Sequence, residues 1–269
     1  MRIKEIKKNF KDELRLLKKE KKAAIREYKA DYRDAKDSIE HRYETELEAY
    51  YRENGLNTPE NPPKRAVIEE IGNAITHGLG ALFAIFAFVM MLISSSEPLE
   101  YVSASIYFFG MLMMFSMSCL YHAFAHGSAV KRLFRRFDYN GIYLLIGATF
   151  APVLLCTVGG VFGWVFFIVQ WAIIITGIVF ISVFGTGKLR ALHMSLYITL
   201  GWSALIFLPM IIGEHFALSM WVLGGGIAYS LGLIPFSMKS KVAHFIWHFF
   251  VLAGAIIQWI GIYLYVFVK

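Results

Sequence analysis

Two histidines stand four residues apart near the carboxyl end of the chain, in the segment His244-Phe245-Ile246-Trp247-His248. On a helix this spacing puts both imidazoles on one face, one turn apart, where they can bind the same metal ion. Alone, such a pair is a weak signal, because a histidine in an apolar helix can also hydrogen-bond to a neighbouring helix. A second segment has the same spacing, with Ser118 four residues before His122.

These residues lie at the ends of long apolar runs. Seven runs of about 20 residues, the length that crosses a hydrocarbon core of about 30 Å, follow one another along the chain. Each run must be a helix, because backbone N–H groups in lipid need partners within their own segment. The runs are 72–94, 101–125, 139–157, 160–184, 191–212, 216–236 and 243–267. The sequence therefore predicts an all-α fold, a seven-transmembrane helix bundle.

The charged residues are concentrated before the first run. Of 27 Lys and Arg residues 18 lie within residues 1–70, and so do 16 of 20 Asp and Glu residues. The rest of the chain has too little charge for a soluble surface, since soluble domains carry about 25% charged residues. The excess positive charge indicates attraction to anionic lipid and membrane orientation rather than nucleic-acid binding. Cys119 and Cys156 both lie within apolar runs, which excludes a disulfide scaffold.

Basic residues in the short loops predict the orientation of the bundle. The loops after runs two, four and six hold eight Lys or Arg residues, whereas the loops after runs one, three and five hold none. The eight are Lys131, Arg132, Arg135, Arg136, Lys188, Arg190, Lys239 and Lys241. The basic amino-terminal region lies on the same side as these eight. We therefore expect the amino terminus in the cytoplasm and Lys269 outside the cell.

This orientation places four polar side chains at one depth, because run two ends and runs three and seven begin on the cytoplasmic side. The four are His122, Asp138, His244 and His248. Three neutral imidazoles beside a carboxylate suit Zn²⁺, since the nitrogens hold the ion while the fourth position stays open for a water that the carboxylate orients or deprotonates. Alternatively, Asp138 pairs with Arg135 or Arg136 as the N-cap of the third helix.

A charged segment precedes the bundle. Residues 1–53 alternate charges of both signs, lack Pro and Gly, and place Ile3, Ile6, Phe10, Leu14 and Leu17 in steps of three and four. The pattern predicts a charged cytoplasmic helical arm, which could be one long solvated helix, a helical hairpin or a dimer seam. Residues 54–65, with Asn54-Gly55 and three prolines, predict a linker to the membrane domain at 66–269. A homo-oligomer or protein partner is expected to use residues 1–53.

Three segments resemble the hemolysin III branch of the progestin and adipoQ receptor family, which includes the adiponectin receptors. They are EIGNAITHG at 70–78, SCLYH at 118–122 with RFDYNGIY at 136–143, and HFIWHFFVLAG at 244–254. The resemblance covers about residues 66–268 and implies zinc held by three histidines, His122, His244 and His248. It also implies that Asp138 contacts the water at the metal, with Ser118 close by. Further candidates for contacts that support the ligands are Asn73, His77 and Tyr139.

The resemblance extends to a wider superfamily of intramembrane metal hydrolases that includes alkaline ceramidases. It implies a zinc-dependent hydrolase of lipid amide or ester bonds acting from the cytoplasmic side, with Asp138 as general base and Ser118 orienting the substrate. One alternative is a receptor-like sensor of membrane state with structural zinc, and a weaker one is a cytolysin. The runs are typical of stable membrane insertion, which argues against the cytolysin. Membrane lipids are the expected partners, and the branch indicates the plasma membrane of a bacterium.

The predicted orientation can be tested by labelling cysteines introduced into two loops. In a Cys119→Ala, Cys156→Ala background, we expect a membrane-impermeant maleimide to label Ser96→Cys but not Ser128→Cys in intact cells, because the basic loops remain in the cytoplasm. Labelling of both variants after cell lysis is the control. Labelling of Ser128→Cys alone in intact cells would contradict the orientation.

Overall fold

The computed structural model describes residues 2–53, 62–238, 240 and 242–268. It has two compact units, Met1–Pro59 and Glu60–Lys269. In the first unit the described residues form one helix, α1, over Arg2–Glu53, so the hairpin alternative for the arm is wrong. The predicted linker lies outside the described residues over 54–61. Outside them too are Lys239, Lys241 and Lys269.

Helices are the only regular secondary structure among the described residues of the second unit. Two of its helices end in π-helical turns: α4 continues through Val153–Val158 and α9 through Tyr263–Phe267. The eight helices are α2 (Val67–Ser94), α3 (Pro98–Ala123), α4 (Ala129–Pro152), α5 (Gly160–Lys188), α6 (Arg190–Trp202), α7 (Ala204–Ile211), α8 (Phe216–Ser237) and α9 (Ala243–Ile262). With α6 and α7 taken together, they supply seven spans long and apolar enough to cross a membrane. The predicted all-α seven-helix bundle is confirmed.

The outward faces of the spans are apolar. Leu82 on α2 is 64% exposed and Val161 on α5 is 82% exposed. Large apolar side chains that stay exposed along a whole bundle are unfavourable in water but face hydrocarbon without cost in a membrane. The lateral surface of the bundle is therefore suited to lipid.

The fourth helix begins earlier than its apolar run predicts. It starts at Ala129 rather than near 139, with the Ser128 hydroxyl accepting a hydrogen bond from the Lys131 backbone N–H at 3.1 Å. Asp138 consequently lies inside α4, and its alternative assignment as an N-cap is wrong. Apolarity marks only the part of a helix that crosses lipid, whereas the helix itself extends through polar residues to its cap.

The packing order brings distant parts of the chain together. The second helix packs against both α3 and α9, while α4 packs on the other side of α3 and α8 packs against α9. Because α2 touches both neighbours, the end of α3 and the beginning of α9 meet beside its first turns. This end of the bundle contains the histidines singled out from the sequence.

The close contact between α3 and α4 depends on Gly110. A Cβ added there would lie 2.2 Å from Ala148 Cβ and 2.7 Å from the Leu144 carbonyl oxygen. We expect Gly110→Ala to force the helices apart and to lower the free energy of unfolding by about 1–3 kcal/mol. Thermal unfolding in detergent measures this change. The control is Gly224→Ala, whose Cβ would meet only Ile257 at 3.6 Å; equal melting temperatures for the two variants would contradict the tight contact.

Candidate metal centre

Three imidazoles converge where α3 ends and α9 begins. His122 lies in the last turn of α3, and His244 and His248 lie in the first two turns of α9. His244 Nε2 is 3.4 Å from His122 Nε2 and 3.2 Å from His248 Nε2. One nitrogen from each ring lies within 4.8 Å of the other two, so these three side chains could hold one metal ion. The histidine pair on α9 and the histidine on α3 are thus brought together as predicted from the sequence.

The ring of His122 is oriented by a carboxylate on α2. Glu70 Oε2 lies 2.5 Å from His122 Nδ1, and the Asn73 side-chain amide lies 3.4 Å from the same nitrogen. A carboxylate only accepts hydrogen bonds, so Nδ1 carries the proton and the Nε2 lone pair points toward the other histidines. His122 is only 2% exposed, which leaves its ring little freedom to turn.

The ring of His248 is held in a similar way by α2. Thr76 Oγ1 donates a hydrogen bond to the Gly72 carbonyl oxygen at 2.9 Å. The same hydroxyl oxygen lies 3.5 Å from His248 Nδ1, where it can accept a hydrogen bond from the ring N–H. His77 stacks on the same imidazole, with 3.7 Å between ring centroids. Asn73 and His77 therefore both touch ligand candidates. Tyr139 instead lies on the cavity wall, with its ring facing Arg135 and its carbonyl accepting from Tyr197 Oη.

The Glu70 carboxylate that bonds to His122 is itself bonded to buried Lys131. Lys131 Nζ lies 3.0 Å from Glu70 Oε1 and donates to the carbonyl oxygens of Tyr121 at 2.9 Å and Phe124 at 3.0 Å. Those carbonyls belong to the end of α3, where backbone acceptors lack helical partners and a positive charge is favourable. Lys131, which is completely buried, thus ends α3 and fixes Glu70 at the same time.

Sequence reasoning missed the roles of Glu70 and Lys131. Glu70 stands within the segment 70–78 that resembles the family, and Lys131 stands among the basic residues of a predicted loop. The available signal was that Glu70 stands one turn before Asn73 on a helix whose later turns are apolar. No sequence pattern relates it to a lysine 61 residues away.

A cavity of about 650 Å³ opens beside the histidines. Its wall includes His244 and His248, together with Ser118 from α3 and Asp138 from α4. Asp138 is half-buried and lies next to Ser118. Farther in, the wall is mostly apolar and reaches Gln258 in the last third of α9. A polar group at one end and an apolar interior suit an amphiphilic ligand.

The fold and this histidine centre define a class of polytopic membrane protein with a candidate metal site built by its second and last spans and supported by its first. The family model described as "Haemolysin-III related" matches residues 65–259. The chain belongs to this family, and the predicted resemblance to the hemolysin III branch is confirmed.

Individual relatives agree with the family assignment. The chain is 36% identical over 208 residues to "Hemolysin-3" of Bacillus cereus, a match that covers 74% of this chain and 93% of the relative. It is 34% identical over 195 residues to "Hemolysin-3 homolog" of Bacillus subtilis (strain 168), covering 70% and 89%. The human "Monocyte to macrophage differentiation factor" is 25% identical over 211 residues, covering 76% and 87%.

Glu70 contacts His122, and Lys131 contacts Glu70. We therefore predict that metal affinity depends on both Glu70 and Lys131. We expect Glu70→Gln and Lys131→Met each to weaken metal binding about 10–100-fold, because His122 loses the partner that orients its ring. Competition between the purified protein and a chelator for Co²⁺ or Zn²⁺ measures the affinity.

The matched control is Glu69→Gln. Glu69 is adjacent to Glu70 but pairs with Arg65 at 3.3 Å, so its loss should leave metal affinity within about twofold. Unchanged affinity in Glu70→Gln would remove Glu70 from the support of His122.

Proposed function

We propose that His122, His244 and His248 hold Zn²⁺ and that the protein is an intramembrane hydrolase of lipid amide or ester bonds. The observation that carries the proposal is the convergence of three imidazole nitrogens on the wall of a cavity that also contains a carboxylate. Two ligands at about 2.0–2.1 Å from a tetrahedral zinc ion are about 3.3–3.4 Å apart. Two of the three separations between the ring nitrogens, 3.2 and 3.4 Å, fit that requirement.

The ligand set favours a catalytic ion over a structural one. Structural zinc sites have four protein ligands, whereas catalytic sites have three and keep one position open. Among the described residues, the group of metal-ligating side chains contains three histidines and no fourth member. This supports hydrolysis over the sensor alternative, in which a closed site would be expected.

A bound zinc ion would polarise the scissile carbonyl and lower the pKa of water to about 7. Asp138 accepts the proton of the attacking water and returns it to the leaving amine or alcohol, which is the role of a general base and then a general acid. Ser118 donates a hydrogen bond to the carbonyl oxygen as negative charge develops there. The apolar part of the cavity holds an acyl chain and keeps bulk water out.

The charge around the cavity favours a substrate from the cytoplasmic leaflet. Four basic side chains line the cavity, against the acidic Glu69 and Asp138. The four are Lys64, Arg65, Arg135 and Arg190. Positive charge at the cytoplasmic end follows the distribution that sets membrane orientation, and it attracts lipids with anionic polar heads. The amino terminus is accordingly placed in the cytoplasm in this proposal.

The test separates metal binding from turnover in Asp138→Asn. We expect this variant to retain one zinc per chain and to lose about 10²–10⁴-fold in hydrolysis rate, since the proton acceptor is removed while the ligands remain. Zinc content is measured by elemental analysis, and turnover by release of fatty acid from sphingolipid, phospholipid and acyl-amide substrates in reconstituted vesicles.

Glu214→Gln serves as the control, because Glu214 is an exposed carboxylate in the turn between α7 and α8. It should change neither zinc content nor rate. Zinc-loaded wild-type protein that cleaves none of the three substrate classes would reject the hydrolase and favour a sensor with structural zinc. Equal turnover in Asp138→Asn and wild type would remove Asp138 from the chemistry.

A further inference from the structure

The arm helix α1 carries an apolar stripe with an 11-residue repeat. Large apolar or aromatic side chains occupy 12 of its 14 positions, and Lys21 and Lys36 occupy the other two. The stripe consists of three series: Ile3, Leu14, Ile25, Lys36 and Leu47; Ile6, Leu17, Tyr28, Ile39 and Tyr50; and Phe10, Lys21, Tyr32 and Tyr43. Of the large apolar residues in Arg2–Glu53, only Leu16 and Tyr51 lie off the stripe.

This repeat keeps the stripe on one face of the helix. Eleven residues in three turns correspond to 3.67 residues per turn, close to the 3.6 of an α-helix, so the stripe runs nearly straight along about 78 Å of helix. A seven-residue repeat does not describe the stripe, because continuing it beyond Tyr28 would place polar Asp31 and Ser38 among the apolar positions. The geometry is that of a nearly straight or slightly right-handed coiled coil.

The described stripe residues are exposed on the single chain. Phe10 is 66% exposed, Leu17 64%, Tyr28 71% and Tyr43 64%. A regular stripe of this length is too ordered to be chance, because exposed apolar residues on a solvated helix are normally scattered singly. The chain has no second helix within the arm to cover it, since Arg2–Glu53 is one uninterrupted helix.

We propose that the stripe binds the same stripe of a second copy of this chain, with the two α1 helices antiparallel. The stripe is self-complementary in that direction. When Phe10 is placed opposite Tyr43 of the other copy, every stripe position meets another stripe position, from Ile3 against Tyr50 to Ile25 against Tyr28.

The two lysines in the stripe determine the direction. In an antiparallel pair Lys21 lies opposite Tyr32, where cation and ring attract, and Lys36 lies opposite Leu17. In a parallel pair in register, each lysine would lie opposite the same lysine of the other chain. Like charges in contact within the seam are unfavourable.

The distribution of charge along the arm also favours the antiparallel arrangement. Residues 2–26 contain 11 basic and four acidic residues, whereas residues 27–53 contain five basic and nine acidic residues. An antiparallel arrangement places the basic half of one helix against the acidic half of the other. The acidic half also disfavours a membrane surface as the occupant, because the cytoplasmic leaflet is itself negatively charged.

The contact is large enough for a stable dimer. Each copy contributes five aromatic stripe residues, Phe10, Tyr28, Tyr32, Tyr43 and Tyr50. Aromatic side chains bury about 150–250 Å² each when fully covered, so ten of them alone approach the roughly 1,200–2,000 Å² of a specific interface.

Two neighbouring leucines of similar exposure provide a matched test. Leu17, on the stripe, and Leu16, off it, are 64% and 61% exposed. We expect Leu17→Lys in the full-length protein in mild detergent to lower the association constant about tenfold or more, because the new charge faces Lys36 of the other copy in the seam, while Leu16→Lys leaves it unchanged. Analytical ultracentrifugation of the detergent complexes gives the constant. Wild-type protein that stays monomeric, or equal losses in the two variants, would overturn the proposal.

Disulfide trapping tests the direction. In a Cys119→Ala, Cys156→Ala background, full-length Phe10→Cys and Tyr43→Cys chains carry tags of different size. Disulfides form where Cα atoms come within about 7 Å. An antiparallel pair should trap only the mixed product, whereas self-linked Phe10→Cys would show a parallel pair and reject the arrangement. Protection of the arm only in vesicles with anionic lipid, with no trapped product, would assign the stripe to the membrane instead.

Discussion

The contact between Glu70 and Lys131 is the interaction on which the site depends. Charges are costly away from water, and here Lys131 is fully buried and Glu70 partly so. The pair is tolerated because its hydrogen-bonding atoms have partners on three helices: Glu70 bonds Lys131 and His122, and Lys131 also caps the end of α3. Losing Glu70 would leave the charge of Lys131 buried and unpaired, at a cost of about 3–5 kcal/mol. The orientation of His122 therefore depends on a lysine of a different helix.

A metal ion at this centre would join parts of the chain that are remote in sequence. His122 ends α3, and His244 and His248 begin α9, with α2 packed between the two helices. Metal binding to such a site contributes to folding, because the unfolded chain does not hold the ligands together. The same arrangement leaves the ion beside the cavity, where Asp138 and Ser118 form part of the wall. In the proposed hydrolase, residues of α2 position the histidine ligands, whereas Asp138 of α4 takes part in the chemistry.

Apolar residues are distributed differently on the arm and on the membrane domain. The family model begins at residue 65, so α1 lies outside the residues it matches. In the membrane domain, apolar residues on the outside of the bundle face lipid. On α1, apolar residues form a narrow stripe between charged faces, which suits a protein partner rather than hydrocarbon. Pairing of two arms would bring together two copies of the membrane domain without using the lipid-facing surface of either.

Much of the fold could be predicted from the sequence, because the relevant signals are local. Runs of about 20 apolar residues specify membrane-crossing helices one at a time, and the spacing of His244 and His248 places both on one face of whatever helix contains them. The starts of helices were less well predicted: α4 begins at Ala129 because Ser128 caps it, although the apolar run begins ten residues later. The breaks between α6 and α7 and the π-helical turns were not predicted, since they arise from packing.

The sequence by itself determined the class of fold, the spans and the identity of the three histidines, because each depends on residue type and on spacing within one helix. Only the tertiary structure decided that Glu70 orients His122, that buried Lys131 holds Glu70, and that Asp138 lies within a helix on the cavity wall. The two contacts of Glu70 join residues 52 and 61 positions apart, and their formation depends on which helices pack together and at what depth. Helix packing is a property of many side chains at once, so no short pattern in the sequence encodes it.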